Sequence, residues 1–316
     1  MRAFGPIPSR RLGQSLGINN IPPKICTYSC VYCQLGKAIV MDTERKAFFD
    51  PDELVAEVKE KVRQVREQGG RIDYLSFVPD GEPTLDIHLG REIRALKDTG
   101  IKVAVITNAS LLWRQDVRDD LMAADWVSVK VDSVLPETWK RTDKPHKNLD
   151  LNQIRQGILQ FAEEYQGTLM TETMLVKGYN DDRRTIMMTA TCLERIQPHT
   201  AYIGIPTRPT AFEGVVPADE EAINFAYQEF QQHVQHVELI LGYEGNAFAF
   251  TGNAEEDILS ITAVHPMRRE AVEELLEKAG QDWSTVEEME KKGLIRITEY
   301  NGHTFVMRRL KKDLKV

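Results

Sequence analysis

The sequence has little cysteine, four residues in 316. Three of the four crowd between positions 26 and 33, which excludes the evenly spread disulfide framework of a small secreted domain. Long apolar runs are also missing. No stretch approaches the ~18 apolar residues of a membrane span, and no basic region followed by an apolar stretch and a small-residue cleavage site opens the chain. The expectation is a soluble cytoplasmic protein with no membrane partner. Positive charge is not in excess either: the formal net charge is −8 with both signs dispersed, which argues against a broad nucleic-acid surface. No internal repeat or low-complexity segment is found. What remains is a chain that is 42% hydrophobic, long enough for one large domain or a large one plus a small one.

Short apolar runs alternate with segments of helical period. "RIDYLSFV" (71–78), "IKVAVIT" (101–107), "DWVSVKVD" (125–132), "LMTETMLV" (169–176), "TAYIGIP" (200–206) and "HVELILG" (236–242) read as strands. The segment 51–68, with Asp50 as N-cap and Pro51 in the first turn, and the segment 149–165 read as helices. Such alternation implies an α/β parallel sheet with crossover helices, either closed as a barrel or open. Both architectures put active-site residues at the carboxyl ends of strands. After residue 252 three short helical patterns precede "LIRITEY", Asn301-Gly302 and "HTFVMRR", a β-hairpin signature. This order describes a small winged-helix-like α+β domain, and the expected division is 1–252 and 253–316, with "FTGNAEED" (250–257) as linker.

Cys26, Cys30 and Cys33 have the spacing C-x3-C-x2-C, with Tyr32 just before the last. Three thiolates on a short loop suit one face of an iron–sulfur cube and leave the fourth iron open to another ligand. Structural zinc normally takes two close cysteine pairs, whereas Cys192 is remote and reads as a buried small hydrophobe. The loop resembles the signature of the radical S-adenosylmethionine (SAM) superfamily. That resemblance implies a 4Fe-4S cluster on Cys26, Cys30 and Cys33, SAM on the open iron, and Tyr32 in the adenine pocket. "FVPDGEPTL" (77–85) is similar to the superfamily's Gly-Gly-Glu segment, with Asp80 replacing the first glycine before Gly81, Glu82 and Pro83. A glycine lets carbonyls approach closely, and a carboxylate accepts hydrogen bonds from the SAM ammonium.

Other strand ends are polar: Thr107, Asn108 and Ser110; Lys130 and Asp132; Glu172; and Ile205 leading to Arg208. Polar groups in parallel strands need solvent, partners or a function. Asn108, Ser110 and Asp132 serve either as contacts to SAM ribose or carboxylate or as loop caps. Lys130 and Glu172 serve either as site residues or as an ion pair inside the barrel. Together with the opening "FGPIPSRRLGQSLGIN" (4–19) and "IPTRP", the chain resembles the branch containing Obg-related radical SAM proteins and wybutosine-synthesis enzymes. The resemblance implies a partial (β/α)6 TIM-like barrel with the cluster at its carboxyl mouth.

The activity so implied is reductive cleavage of SAM to methionine and a 5′-deoxyadenosyl radical that abstracts hydrogen from a substrate. The partners are then SAM, an electron donor such as flavodoxin or ferredoxin, and a small-molecule, peptide or tRNA substrate. Two rivals stand beside it: a tRNA-modifying radical SAM enzyme, with Arg10, Arg11 and Arg208 near the mouth holding phosphate or carboxylate, and a cluster-containing winged-helix regulator. Residues 254–316 hold eleven Lys and Arg against thirteen Asp and Glu, a net of −2, which argues against DNA as partner. Only the end, "RRLKKDLK" (308–315), forms a basic tail.

Overall fold

The computed structural model describes residues 2–242, 252–262 and 266–309. Most of the basic tail and the first two residues of the expected linker lie outside the described residues. In chain order the main sheet comprises β1 (Ala3–Ser9), β2 (Gly13–Ile18), β3 (Tyr74–Phe77), β4 (Lys102–Thr107), β5 (Trp126–Lys130), β6 (Thr168–Met174), β7 (Thr200–Gly204) and β8 (Val237–Ile240). They are hydrogen-bonded in that order. β1 runs antiparallel to β2, and the other seven are parallel. Between the parallel strands run α1 (Pro51–Glu67), α2 (Leu89–Leu96), α3 (Gln115–Leu121), α4 (Pro136–Asp143), α5 (Leu151–Glu164), α6 (Arg183–Ile196) and α7 (Glu220–Gln231).

All six strands read from sequence are present, and the architecture is the expected partial α/β barrel. β1 and β2 were not among them. Gly5, Pro6 and Pro8 break the β signal of "AFGPIPS", yet an edge strand tolerates proline because its outer N–H groups need no partner. Asp50 caps α1, accepting from the Asp52 and Glu53 amides at 2.9 and 3.1 Å.

The main core lies between sheet and helices, including Leu75, Phe77, Val103, Val105, Val127 and Phe161. A second cluster fills the barrel lumen, where Leu12 from the β1–β2 turn meets Trp126, Met170, Tyr202 and Ile240. The turn thereby brings the first strands against the last.

The C-terminal part comprises α8 (Ala254–Thr262), β9 (Met267–Arg268), α9 (Arg269–Lys278), α10 (Ser284–Lys291), β10 (Ile295–Tyr300) and β11 (His303–Arg308). Its antiparallel sheet has the order β9-β11-β10. Asn301 and Gly302 both take positive φ, 47° and 75°, as a two-residue hairpin turn with matched twist demands. Phe4 and Ile7 of β1 belong to this part's core, with Ile258, Met267, Leu275 and Val306.

Beneath α2 lies a buried carboxyl group that the fold leaves unsatisfied. Glu92 is 0% exposed, and neither of its carboxylate oxygens has a hydrogen-bond partner. Burial, with Asp86 and Asp120 nearby, pushes it up to about 9. Its ionisation opposes folding, so its contribution to stability is complete below about pH 4.5, the ordinary glutamate value, and is lost as pH rises towards 9. Glu92→Gln should therefore lose less stability than wild type between pH 5 and pH 8.5, a difference of about 2 kcal/mol or more for a shift of this size. Urea unfolding at the two pH values measures it, and parallel losses in the two proteins would disprove it.

Candidate functional site

The cysteine loop leaves the carboxyl end of β2 and is pinned to the end of β3. A two-residue parallel bridge pairs Ile25–Cys26 with Val40–Met41, and the Glu82 amide donates to the Ile25 carbonyl at 3.1 Å. Gly81 permits this approach: a methyl group there would overlap the Ile25 carbonyl oxygen. Pro83 begins a single 3-10 turn, and its carbonyl accepts from Asn20 Nδ2 at 3.1 Å.

Glu82 is 1% exposed and accepts four hydrogen bonds. Its Oε1 accepts from the Thr84 amide at 3.1 Å, the Thr84 hydroxyl at 2.7 Å and the Thr107 hydroxyl at 2.6 Å. Its Oε2 accepts from the Asn108 amide at 2.8 Å. Burial pushes the carboxyl up, while the Thr107, Thr84 and Asn108 hydrogen bonds oppose that rise. Asn108 then continues the chain of contacts, donating from Nδ2 to the Thr27 hydroxyl at 2.7 Å and to Cys26 Sγ at 3.5 Å. Ser110 donates to the same Thr27 oxygen at 2.6 Å. Two strand ends and the cysteine loop are thus one hydrogen-bonded unit.

The three cysteines are half-buried. Burial pushes Cys26 up to about 12, and raises Cys30 well above the usual thiol value, with Asp143 and Asp132 adding to the effect on Cys30. Among the described residues no three cysteine, histidine or acidic side chains are placed to hold a single metal ion. The set also has a matching orphan cation. Lys24 is 6% exposed, and its Nζ has no hydrogen-bond partner. Burial lowers its pKa, opposed by Cys33, Asp80 and Cys26. A buried ammonium near the Cys33 and Cys26 sulfurs fits an anionic cluster seated there. Cys192 lies apart, buried in the main core on α6.

Across the mouth, Tyr32 is buried, and its hydroxyl donates to Asp132 and, at 3.4 Å, to Asp143. Asp132 also accepts the Met174 amide at 2.7 Å. Burial, then Asp132, raises Asp143 well above the carboxylate range. Lys130 and Glu172 form an ion pair at 2.8 Å, and the Lys130 ammonium lies 5.2 Å from the Tyr32 ring centroid. Glu172 receives a second cation, Arg11. Arg10 and Arg11 sit in the turn before β2, at the amino ends of the parallel strands, so the expectation that they flank the mouth is corrected. The hairpin sends Arg11 into the lumen from the opposite end. Arg208 remains at the mouth, donating to Gln34 of the cysteine loop at 2.6 Å. Ile205 follows β7 and packs on the main core.

A family model, the radical SAM superfamily, matches residues 20–190, the stretch that carries the cysteine loop, the Glu82 turn and four of the parallel strand ends. The chain belongs to the radical SAM superfamily. It is 43% identical over 311 residues to a UPF0026 protein of Methanocaldococcus jannaschii, covering 98% of this chain and 96% of that one. A protein named GTPase Obg from Brachyspira hyodysenteriae is 32% identical over 311 residues, which cover 95% of this chain and 44% of that protein. Among solved structures, TYW1 with a lysine-pyruvate adduct bound aligns at 15% identity and a TM-score of 0.52, covering 70% of this chain and 74% of that one. A radical SAM methyltransferase from Sphaerobacter thermophilus aligns at 15% and 0.53, covering 72% and 66%. These two likenesses show the radical SAM fold.

Lys24, Thr27, Thr84, Asp143 and the lumen role of Arg11 escaped the sequence reading. Thr27 and Thr84 lie inside the cysteine loop and the Glu82 segment without belonging to either spacing, and Lys24, Asp143 and Arg11 acquire their places through contacts distant in sequence. The signal within reach was Thr27, a hydroxyl between two ligand-spaced cysteines.

The Glu82 network generates a test independent of any cofactor. Glu82→Ala strands the Thr107 and Thr84 hydroxyls and two amides in a buried site, where each unmet donor costs about 1–3 kcal/mol. The metal-free variant should lose about 2–4 kcal/mol in denaturant unfolding, with partial compensation by water. A loss below about 0.5 kcal/mol, the size of an ordinary surface substitution, would show that the network does not hold the turn.

Proposed function

We propose that this radical SAM enzyme holds a 4Fe-4S cluster on Cys26, Cys30 and Cys33, cleaves SAM reductively and takes hydrogen from a substrate in the barrel mouth. The observation that carries the reading is the loop itself: three half-buried cysteines and a buried orphan ammonium, tied by Glu82, Asn108 and Thr27 to the carboxyl ends of β3 and β4. When bound, the cluster supplies one electron to the sulfonium of SAM, whose homolysis leaves methionine and a 5′-deoxyadenosyl radical.

The chain's own residues position and protect. Glu82 Oε2, which accepts one hydrogen bond, has capacity for a second from the SAM ammonium. Gly81 and Pro83 give that turn its shape, and Thr107 fixes the carboxylate. Asn108, Ser110 and Asp132 would take the ribose or carboxylate, while Tyr32 and Ile205 wall the adenine. Lys130 and Glu172, paired with each other, form the polar wall of the lumen beyond. The apolar plug around Leu12 and Trp126 closes the far end against water. An external one-electron donor such as flavodoxin or ferredoxin completes the reaction.

A specific feature favours tRNA over a small molecule or peptide as substrate. Lys37 of the cysteine loop and Lys144 after α4 both lie over the Phe212 ring, at 4.3 and 5.0 Å, and Arg141 lies 5.8 Å from the Tyr179 ring centroid. Cations interleaved with aromatics at an active-site mouth suit phosphates and unstacked bases. Among the described residues from 253 to 309, the order helix, strand, helix, helix, strand, strand supports a winged-helix-like unit, and the −2 balance of residues 254–316 supports a role other than DNA reading.

After anaerobic reconstitution with iron and sulfide, wild type and Cys192→Ala should each bind four irons. Alanine at Cys26, Cys30 or Cys33 should abolish the cluster absorbance. With dithionite and SAM the loaded protein should release 5′-deoxyadenosine. A full cluster without 5′-deoxyadenosine would leave a cluster-bearing regulator in place of an enzyme. Submicromolar tRNA retention on filters at ~150 mM salt would separate the tRNA substrate from the others.

A further inference from the structure

We propose that Lys24 is the built-in counter-cation of the cysteine-bound cluster and sets its reduction potential, an inference that rests on the cluster reading above. Lys24 is almost wholly buried, and its ammonium has no hydrogen-bond partner. Lysine is among the residues most rarely buried without a pair, because an isolated buried ammonium is strongly disfavoured. The backbone holds it there regardless. Lys24 takes φ 67°, the left-handed region that a β-carbon disfavours. Three hydrogen bonds pin it in that conformation: its amide donates to the Asp80 carbonyl at 2.6 Å, and its carbonyl accepts from the Ile39 and Val40 amides at 3.0 and 3.2 Å.

The side chain runs into the cysteine loop. A β-carbon added to Gly36 would stand 3.5 Å from the ammonium, and the Gly36 amide closes a turn onto the Cys33 carbonyl at 3.1 Å. The anionic groups within its electrostatic reach are Cys33, Asp80 and Cys26. Asp80 belongs to the Gly81-Glu82 turn and also feels the charge of Arg308 of β11. Its Oδ1 is also buried and without a partner. Lys24 thus places a positive charge near the Cys33 and Cys26 sulfurs, and the Asp80 carboxyl of the neighbouring turn is within reach of the same ammonium.

A four-iron cluster on three thiolates is anionic, and gaining an electron makes it more so. Net charge and nearby donors are the protein's levers on its potential. A fixed cation at Lys24 favours the reduced form, and ionised Asp80 attenuates that cation. The two residues should therefore act with opposite sign.

The test uses full-length protein reconstituted anaerobically, with iron counted, and EPR-monitored reduction by dithionite at pH 8.5, above the value of about 7 to which burial pushes Asp80. At the potential that half-reduces wild type, Lys24→Met should show a reduced-to-oxidised ratio about tenfold lower, a displacement of about 59 mV for one electron. Lys24→Arg should stay within about threefold, and Asp80→Asn should raise the ratio. A Lys24→Met protein with full iron and an unmoved ratio overturns the proposal. Should Lys24→Met bind no iron, an Asp80→Asn ratio that stays put or falls overturns it instead. Wild type without iron would retire the cluster reading itself, an outcome distinct from either.

Discussion

The carboxylate of Glu82 is the constraint on which the site depends. A buried anion must be satisfied from nearby, and here the donors come from its own turn and from the ends of β4, Thr107 and Asn108. Because Asn108 also holds Thr27 and Cys26, satisfying one carboxylate fixes the relative positions of two strand ends and a loop otherwise free to wander. Gly81 is the steric counterpart of the same arrangement, since the turn closes only where a side chain is missing. Preorganisation of this kind leaves a cofactor less to reorder when it binds.

A second polar unit crosses the lumen. Arg11 and Lys130 converge on Glu172 from opposite directions, one from the β1–β2 turn and the other from β5. Buried ion pairs add little net stability, but leaving one charge unpaired is severe, so they specify geometry. Here they specify that the hairpin tip enters the barrel. Leu12, next in sequence, then completes the apolar plug.

Much of this was legible in the sequence, for local reasons. Six strands declared themselves through β-branched runs, α1 through Asp50 and Pro51, and the last hairpin through Asn301-Gly302. The cysteine spacing and the glycine before Glu82 marked the mouth. What stayed hidden was whatever depends on distant partners. Pro6 and Pro8 disguised β1, because an edge strand is permissive in ways that composition does not reveal. Arg10 and Arg11 looked like mouth residues until topology put their turn at the other end of the strands. Lys130 and Glu172 could be read either as ligands or as a pair, and the register that sets them side by side decides that they meet.

The placement of Phe4 and Ile7 in the core of α8 to β11 has a bearing on biogenesis. The outer apolar face of β1 is completed by elements that follow it in the chain by roughly 250 residues. Until those elements are made, that strip lacks the side chains that cover it. Closure at such separation is slow and leaves a sticky edge in the interim. A substitution in β1 or in α8 to β11 is therefore felt in a core that both share.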